Sequence, residues 1–303
     1  MQRRIDLIGV ASGLGGIDAD CARAPAHLAD AGLVTHLRRA GVDAEWAATL
    51  APVRGRGSAQ TVAQLCARLA ATVAASLRGG RLPCVIGGDH SCAAGTWMGV
   101  ARALQPRGRL GLVWVDAHMD AHTPGTSPSG RLHGMPLAAL LGQCDHALEG
   151  LDDGVIAARH ICLLGVRSHE PEEAGFLRQR GVTVFGMDEI LRRGLASVLG
   201  DALAVAREGT AGHGVTVDLD AIDPRDAPAV ATPVEEGIRG NELVNELARA
   251  ARDGRFAAFE IAEFCPRRDR ERRTELLIMR ILAAALGGSA EDSEIVPDAL
   301  HTA

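Results

Sequence analysis

The chain has 303 residues, 47% of them hydrophobic and 23% charged, and a formal net charge of −6. This length and composition can bury a large apolar core, which excludes a disordered chain. The negative charge gives no general attraction for nucleic-acid phosphates or anionic lipids, so we expect neither partner. All 32 basic residues are arginine and tyrosine is absent. Without lysine, Schiff-base catalysis, attachment of pyridoxal phosphate and a Walker A nucleotide site are excluded.

Seven cysteines are spread along the sequence without a CxxC pair: Cys21, Cys66, Cys84, Cys92, Cys144, Cys162 and Cys265. An odd number of widely spaced cysteines is typical of reduced thiols, and we interpret them as small core residues. No apolar run resembles that of a signal peptide or reaches the roughly 18 residues of a membrane span. The sequence therefore predicts a cytoplasmic protein that has no membrane partner.

Short apolar runs alternate with longer segments of helical periodicity, which is typical of βαβ units around a parallel sheet. Eight strands are predicted, at residues 4–9, 42–46, 82–86, 110–115, 160–166, 182–185, 214–218 and 256–261. Helical patterns cover residues 61–77, 241–251 and 271–286, and Pro, Gly, Ser and Thr predict a loop over 123–131. We expect one α/β domain over residues 1–288, followed by a polar C-terminal tail over 289–303.

Four of the predicted strands end directly at acidic or imidazole side chains. Strand 82–86 runs into GGDH, which ends at His90, and strand 110–115 runs into DAHMD at 116–120. Strand 214–218 enters DLDAIDP, and strand 256–261 is followed by AEFCP, which contains Glu263. Because open parallel sheets bind ligands at the carboxyl ends of their strands, we expect these groups at one edge.

The spacing within these segments predicts a centre for two metal ions. Asp116, His118 and Asp120 alternate, as do Asp218 and Asp220, which places each set on one face if the strand geometry continues. Same-face neighbours lie roughly 6.5–7 Å apart, which suits two ions. Two divalent cations would also balance the charge of four aspartates, which otherwise repel one another. Oxygen-rich ligation with two imidazoles favours Mn²⁺ over Zn²⁺, with Ni²⁺, Co²⁺ and Fe²⁺ as alternatives.

Other polar features are interpreted as structural. Asp89 and Asp223 adjoin a glycine and a proline, which predicts turn or cap residues. The glycines at 13–16 lack the spacing of a phosphate loop and predict a turn. The arginine-rich run at 267–273 is interrupted by acids and has no interleaved aromatics. It indicates a solvated helix start or a subunit surface rather than a nucleic-acid site.

Three motifs resemble those of the arginase, or ureohydrolase, family: GGDHS at 87–91, DAHMD at 116–120 and TVDLDAIDP at 216–224. The resemblance continues from GGIDAD near residue 15 to EIAEFCP near residue 260. It implies a three-layer α/β/α sandwich with a parallel sheet of about eight strands, and a homo-oligomer, either trimer or hexamer. It also implies two Mn²⁺ per chain, one bound by His90, Asp116, Asp120 and Asp218, and the other by Asp116, His118, Asp218 and Asp220.

The resemblance further implies catalytic roles for three residues. Asp120 would take the proton of a hydroxide nucleophile and pass it to the leaving amine, and Glu263 would pair with a guanidinium group. His133, in SGRLHGMP, corresponds to a histidine of the family that shuttles protons, and imidazole titrates near neutral pH. The expected reaction is hydrolysis of a small guanidino substrate.

Residues near the substrate tail resemble the arginase branch, which acts on L-arginine to give L-ornithine and urea. Glu170 replaces an aspartate that contacts the α-amino group, and Ser129 matches a serine near the α-carboxylate. His122 and Arg131 stand where arginases usually carry asparagines, and Arg131 could bind a carboxylate. Another guanidino compound (4-guanidinobutyrate, agmatine or guanidinopropionate) remains an alternative substrate. A metal-binding subunit without catalytic activity is a further alternative.

Overall fold

The computed structural model describes residues 3–53, 58–143, 156–250 and 253–288. Within these ranges the chain forms an eight-stranded sheet in which every strand pair is parallel. The strands are β1 Ile5–Val10, β2 Ala44–Leu50, β3 Leu82–Ile86, β4 Arg109–Val115, β5 Ile161–Val166, β6 Thr183–Gly186, β7 Thr210–Asp218 and β8 Phe256–Ala262.

The strand order is β2-β1-β3-β8-β7-β4-β5-β6. The four strands predicted to end at acidic or imidazole groups are therefore the four central ones, β3, β8, β7 and β4. Val217 of β7 pairs with Val115 of β4 on one side and with Ile261 of β8 on the other, and Ile261 also pairs with Ile86 of β3. Since all four strands are parallel and end at the same level, the segments that follow them meet at one sheet edge.

The described ranges contain ten α-helices. They are α1 Ala24–Asp30, α2 Leu33–Arg39, α3 Ser58–Arg78, α4 Ala93–Leu104, α5 Pro136–Leu140, α6 Pro171–Arg180, α7 Met187–Arg193, α8 Leu195–Arg207, α9 Gly240–Ala250 and α10 Arg273–Ala285. Buried residues of α3, α4, α5 and α6 share one hydrophobic core, and those of the other six helices share a second. The architecture is therefore an α/β sandwich with a helical layer on each face of the sheet.

Alternation along β4 shows how the sheet separates the two cores. Leu112 and Trp114 pack into the core of α3–α6, whereas Val113 and Val115 pack into the core on the opposite face. All four side chains are fully buried. A strand covered on both faces carries a continuous apolar run, which is the pattern from which this strand was predicted.

The predicted elements agree with the observed ones apart from their bounds. The strand expected at 42–46 is β2, which runs on to Leu50, and the strand expected at 214–218 begins earlier, at Thr210. The helix expected at 271–286 begins at Arg273, because Arg272 adopts a left-handed φ of 57°. The predicted loop over 123–131 contains neither helix nor strand.

The expected domain over 1–288 stays a prediction, although both cores draw on residues from the beginning and the end of the described chain. The predicted polar tail over 289–303 lies outside the described residues.

Candidate metal centre and active site

The segment after β3 begins with a close backbone approach and a cap. A Cβ at Gly88 would lie 1.8 Å from the carbonyl oxygen of Ser12, so only glycine fits. Asp89 caps the 3₁₀ turn His90–Cys92 by accepting a backbone N–H at 3.1 Å, as predicted for a cap residue. His90 follows this cap as a fully buried side chain.

The segment after β4 is a turn, so the prediction that strand alternation aligns its ligands is wrong. The strand ends at Val115, and Asp116 Oδ1 accepts the backbone N–H of His118 at 2.7 Å. Asp120 then adopts a left-handed φ of 50°, a conformation uncommon outside glycine. The side chains of this segment converge because the backbone turns.

The same correction applies at the end of β7. Asp218 is the last strand residue, and its Oδ1 accepts the backbone N–H of Asp220 at 3.0 Å, which caps the 3₁₀ turn Leu219–Ala221. Asp220 is therefore reached by a turn. Its Oδ2 also accepts the hydroxyl of Thr232 at 2.8 Å.

Four predicted ligands form a first group around the Nδ1 atom of His90. This atom lies 3.2 Å from Asp116 Oδ2, 3.0 Å from Asp120 Oδ2 and 3.1 Å from Asp218 Oδ2. His90 Nδ1 and Asp120 Oδ2 are buried and have no hydrogen-bond partner among the described residues. Buried polar atoms without partners are costly, and one nitrogen converging with three carboxylate oxygens fits a divalent cation.

A chain of hydrogen bonds assigns the tautomer of His90. Its Nε2 lies 3.0 Å from Thr216 Oγ1, and the Thr216 hydroxyl donates to Glu260 Oε1 at 2.8 Å. Because Thr216 uses its proton toward Glu260, its oxygen accepts the N–H from His90 Nε2. In neutral His90 the lone pair is then on Nδ1, the atom that faces the carboxylates. This arrangement is typical of a metal-binding histidine.

A second group forms around His118. Its Nδ1 lies 3.1 Å from Asp220 Oδ2 and 3.6 Å from Asp116 Oδ1. Asp116 thus directs Oδ2 at the first group and Oδ1 at the second, while Trp114 Nε1 donates to Oδ2 at 2.9 Å. A carboxylate shared in this way could bridge two cations.

Burial favours protonated Asp120 and Asp218, whereas contacts with His118 and His90 outweigh burial at Asp116 and lower its pKa. Burial, together with the charge of Asp116, raises the pKa of Asp120 to about 7. Burial and the neighbouring aspartates likewise raise the pKa of Asp218 well above its usual value. Burial opposes a charged His118, but Asp220 and Asp116 outweigh it and raise its pKa to about 12. Cations bound here would displace these protons.

Glu263 lies beside the first group and is fully buried. Its Oε1 accepts the backbone N–H of His90 at 2.8 Å and lies 3.2 Å from His133 Nδ1. Burial raises the pKa of Glu263, but the contacts with His133 and His90 outweigh it and lower that pKa overall. Burial also opposes protonation of His133, yet Glu263 raises the His133 pKa to about 9. The pair is therefore a carboxylate with a protonated imidazole at neutral pH.

Two of the residues predicted to contact the substrate tail, His122 and Glu170, lie together at the start of α6. His122 Nε2 is 3.0 Å from Oε2 of Glu170, the N-cap of this helix, and 3.3 Å from Oε2 of Glu173. The hydrogen bond from His122 lowers the pKa of Glu170. Two carboxylates on one imidazole form a third group that could hold a cation.

Ser129 and Arg131, the other two residues predicted to contact the substrate tail, are exposed on the 123–131 loop. Ser129 Oγ accepts the backbone N–H of Arg131 at 3.2 Å, and the Arg131 guanidinium donates to the carbonyl oxygen of Gly16 at 2.8 Å. These contacts connect the loop to the residue 13–16 turn. Substrate contacts by Ser129 and Arg131 stay predictions.

Sequence reasoning missed several supporting residues: Trp114, Glu173, Thr216 and Glu260. A signal existed for Glu260, because it is a charged residue in the apolar run FAAFEIA of β8, and a buried charge requires partners. Thr216 and Trp114 carry no comparable signal, since both are common in strands.

The fold and the two ligand groups define a metal-binding α/β protein with its site at the carboxyl ends of the central strands. The family model described as "Arginase family" matches residues 3–287. The arginase of Bacillus caldovelox is 34% identical over 299 residues, which cover 94% of this chain and 99% of that protein. Its solved native structure superposes with a TM-score of 0.88 over 95% of this chain and 99% of that chain.

Two further arginases show the same relationship. The arginase of Brevibacillus brevis is 32% identical over 297 residues, or 95% of this chain and 99% of that protein. The structure of Entamoeba histolytica arginase with L-ornithine is 26% identical, with a TM-score of 0.86 over 95% of this chain and 99% of that chain. The chain belongs to the arginase family, whose members are binuclear metal enzymes of the ureohydrolase type.

None of the helices in the described ranges combines the length and apolar character needed to cross a membrane.

Proposed function

We propose that this protein hydrolyses the guanidino group of L-arginine to L-ornithine and urea, with two Mn²⁺ per chain. The observation that carries the proposal is the position of Asp116, which offers one oxygen to each of two ligand groups. Glu263, a buried carboxylate suited to a guanidinium cation, touches the first of these groups through the backbone of His90.

The proposed ligands are those expected from the resemblance. His90, Asp116, Asp120 and Asp218 would hold one ion, and Asp116, His118, Asp218 and Asp220 the other. The oxygen-rich donor set with one imidazole per ion favours manganese. Divalent ions bound in this way lower the pKa of water and supply hydroxide near neutral pH.

Glu263 would bind and orient the substrate head. A guanidinium is a planar cation whose paired N–H groups match the two oxygens of a carboxylate. The backbone N–H of His90 holds Glu263 Oε1 at 2.8 Å, so the carboxylate is fixed before the substrate arrives. Its full burial excludes water from this ion pair and strengthens it.

Asp120 and His133 would move the protons. Asp120, whose Oδ2 lies 3.0 Å from His90 Nδ1, would take the proton of the nucleophile and give it to the leaving amine. His133 is partly exposed, with 17% of its side chain accessible. It can therefore exchange a proton with solvent and carry it to the reacting nitrogen.

The group formed by His122, Glu170 and Glu173 favours a substrate with an α-amino group. The two carboxylates of this group attract an ammonium, and 4-guanidinobutyrate and guanidinopropionate lack one in this position. The solved Entamoeba histolytica arginase contains L-ornithine, an amino acid with such a group.

Replacing Glu170 tests this proposal. We expect Glu170→Gln to lower kcat/KM for L-arginine about tenfold, because a charged hydrogen bond is lost, and to leave kcat/KM for 4-guanidinobutyrate unchanged. Glu172→Gln, which alters an exposed neighbour on α6, is the matched control. An equal loss for both substrates in Glu170→Gln would exclude an ammonium subsite at this position.

The homo-oligomer (trimer or hexamer) and the cytoplasmic location stay part of the proposal. The cytoplasmic location is supported by the six described cysteines, all of which are free.

A further inference from the structure

Cys21 and Cys265 lie side by side in the structure, although 244 positions separate them. Their Sγ atoms are 2.9 Å apart, and both side chains are fully buried. Cys21 belongs to the 3₁₀ turn Ala19–Arg23, and Cys265 follows β8. Together with Ala231 they form a small buried cluster separate from the two main cores.

The backbone around both thiols is held by contacts on the neighbouring residues. Asp20 Oδ2 accepts the backbone N–H of Arg267 at 2.7 Å, and Asp18 forms an ion pair with Arg268 at 2.7 Å. The backbone N–H of Cys265 also donates to the carbonyl oxygen of Ala229 at 2.9 Å. The segments that carry the thiols are therefore fixed against each other in the reduced protein, which reduces the entropy cost of joining them.

The Cys21 thiol also contacts the candidate active site. Its Sγ donates to Glu263 Oε2 at 3.4 Å, while Glu263 Oε1 accepts from His90 and faces His133. Among the described residues, Cys21 alone donates a hydrogen bond to Glu263 Oε2. A chemical change at the sulfur would alter the environment of the carboxylate.

We propose that Cys21 and Cys265 are a redox modification site, at which a peroxide joins the two thiols in a disulfide that lowers turnover through Glu263. One thiolate attacks hydrogen peroxide, forming a sulfenic acid and releasing water after proton transfer. The second thiolate attacks that sulfur and expels the oxygen as a second water. Overall, two thiols are oxidised to one disulfide and one peroxide is reduced to two waters.

Burial determines which oxidant fits and how fast it acts. Thiols with no accessible surface can be reached by a molecule of the size of water, whereas a glutathione disulfide requires an exposed sulfur. The neighbouring Cys265 thiol, burial and the Glu263 charge all raise the pKa of Cys21. The reaction is therefore slow at neutral pH and faster in alkaline solution. The site responds to sustained peroxide rather than to brief exposure.

Mass spectrometry tests the disulfide without reference to activity. The full-length reduced protein is treated with hydrogen peroxide, denatured, alkylated and digested with trypsin without reductant. Cys21 and Cys265 fall in the peptides 5–23 and 256–267, each of which contains one cysteine. We expect a cross-linked pair of these two peptides that dithiothreitol separates. Recovery of both peptides alkylated, or carrying sulfinic or sulfonic acid without a cross-link, would overturn the proposal.

Urea release by a variant and a control tests whether the disulfide lowers turnover. We expect peroxide to lower urea release from the wild type at least about tenfold, the effect of losing one hydrogen bond to a charged group. Cys265→Ala should keep its turnover after peroxide, whereas Cys162→Ala, altered on the distant strand β5, should respond as the wild type does. The effect on turnover rests on the proposed function, but the cross-link does not. A cross-link without loss of activity would overturn the coupling to Glu263, and absent turnover in untreated protein would count against the proposed function alone.

Discussion

His90 Nδ1 lies 3.0 Å from Asp120 Oδ2, and neither atom has a hydrogen-bond partner within the described part of the chain. Two buried acceptors face each other at this distance only if a proton or a cation lies between them. The two oxygens of Asp116 extend this arrangement to the group around His118. The candidate site therefore brings together buried donor atoms of the kind that bind divalent cations.

Replacing Asp116 tests the two-ion arrangement. We expect Asp116→Asn to lower the metal content from about two ions per chain to less than one, because a neutral amide cannot bridge two cations. The measurement is metal content after dialysis against Mn²⁺. Asp223→Asn, which alters a buried aspartate paired with Arg225 outside the cluster, should keep both ions. Full occupancy in Asp116→Asn would show that Asp116 does not bridge.

The hydrogen bond from His90 to Thr216 gives a prediction about metal affinity. Thr216→Val keeps the side-chain shape but leaves His90 Nε2–H and Glu260 without their shared partner. We expect metal affinity to fall roughly 10- to 100-fold, measured by competition with a fluorescent chelator. Thr216→Ser retains the hydroxyl and should restore the affinity. Unchanged affinity in Thr216→Val would mean that this hydrogen-bond chain does not orient the histidine.

The role of Glu263 is separable from metal binding. Glu263→Gln keeps an oxygen for the backbone N–H of His90 but removes the charge that would attract a guanidinium. We expect near-normal metal content and a loss of kcat/KM of roughly 10- to 100-fold, determined from urea release. Kinetics equal to those of the wild type would exclude Glu263 as the guanidinium-binding group.

A histidine away from the site predicts how stability depends on pH. Burial and the charge of Arg207 lower the pKa of His213 to about 4, whereas its unfolded value is near 6.5. Because the unfolded chain binds more protons between these values, the stability due to neutral His213 is complete above about pH 6.5 and is lost as the pH falls toward 4.

Denaturation at two pH values tests whether stability falls as the pH is lowered. Between pH 7.5 and 5.0, the wild type should lose about 2 kcal/mol of unfolding free energy that His213→Leu does not lose. Urea denaturation of both proteins in chelator isolates the histidine from metal effects. An equal loss in the two proteins would assign the pH dependence to other groups.

The strands, and the residues that meet at the carboxyl ends of the central strands, could be predicted from the sequence because both depend on local patterns. A strand buried on both faces, such as β4, must be apolar throughout, and a polar residue directly after it lies at the sheet edge. The strand order could not be predicted in this way, because β3 pairs with β8, which is far from it in the sequence, and no local pattern indicates that pairing.

Backbone turns explain what the sequence could not predict within the site. The sequence analysis predicted that alternation along a continuing strand places the aspartates on one face. In the structure, Asp116 and Asp218 accept backbone N–H groups of turns that follow their strands. The six described cysteines are buried, as predicted, and Cys144 lies outside the described residues. That Cys21 meets Cys265 follows only from how the residue 13–23 segment folds against the end of β8.

The measurement that tests the central claim most directly is urea release by the Mn²⁺-loaded protein. L-Arginine, agmatine, 4-guanidinobutyrate and 3-guanidinopropionate are compared in parallel, with metal content determined on the same sample. The account predicts a kcat/KM for L-arginine at least about tenfold above the others, as loss of a charged contact to the amino-acid end implies. A higher value for another guanidine would contradict the proposed substrate, and no urea from any of them with both ions bound would contradict catalysis itself.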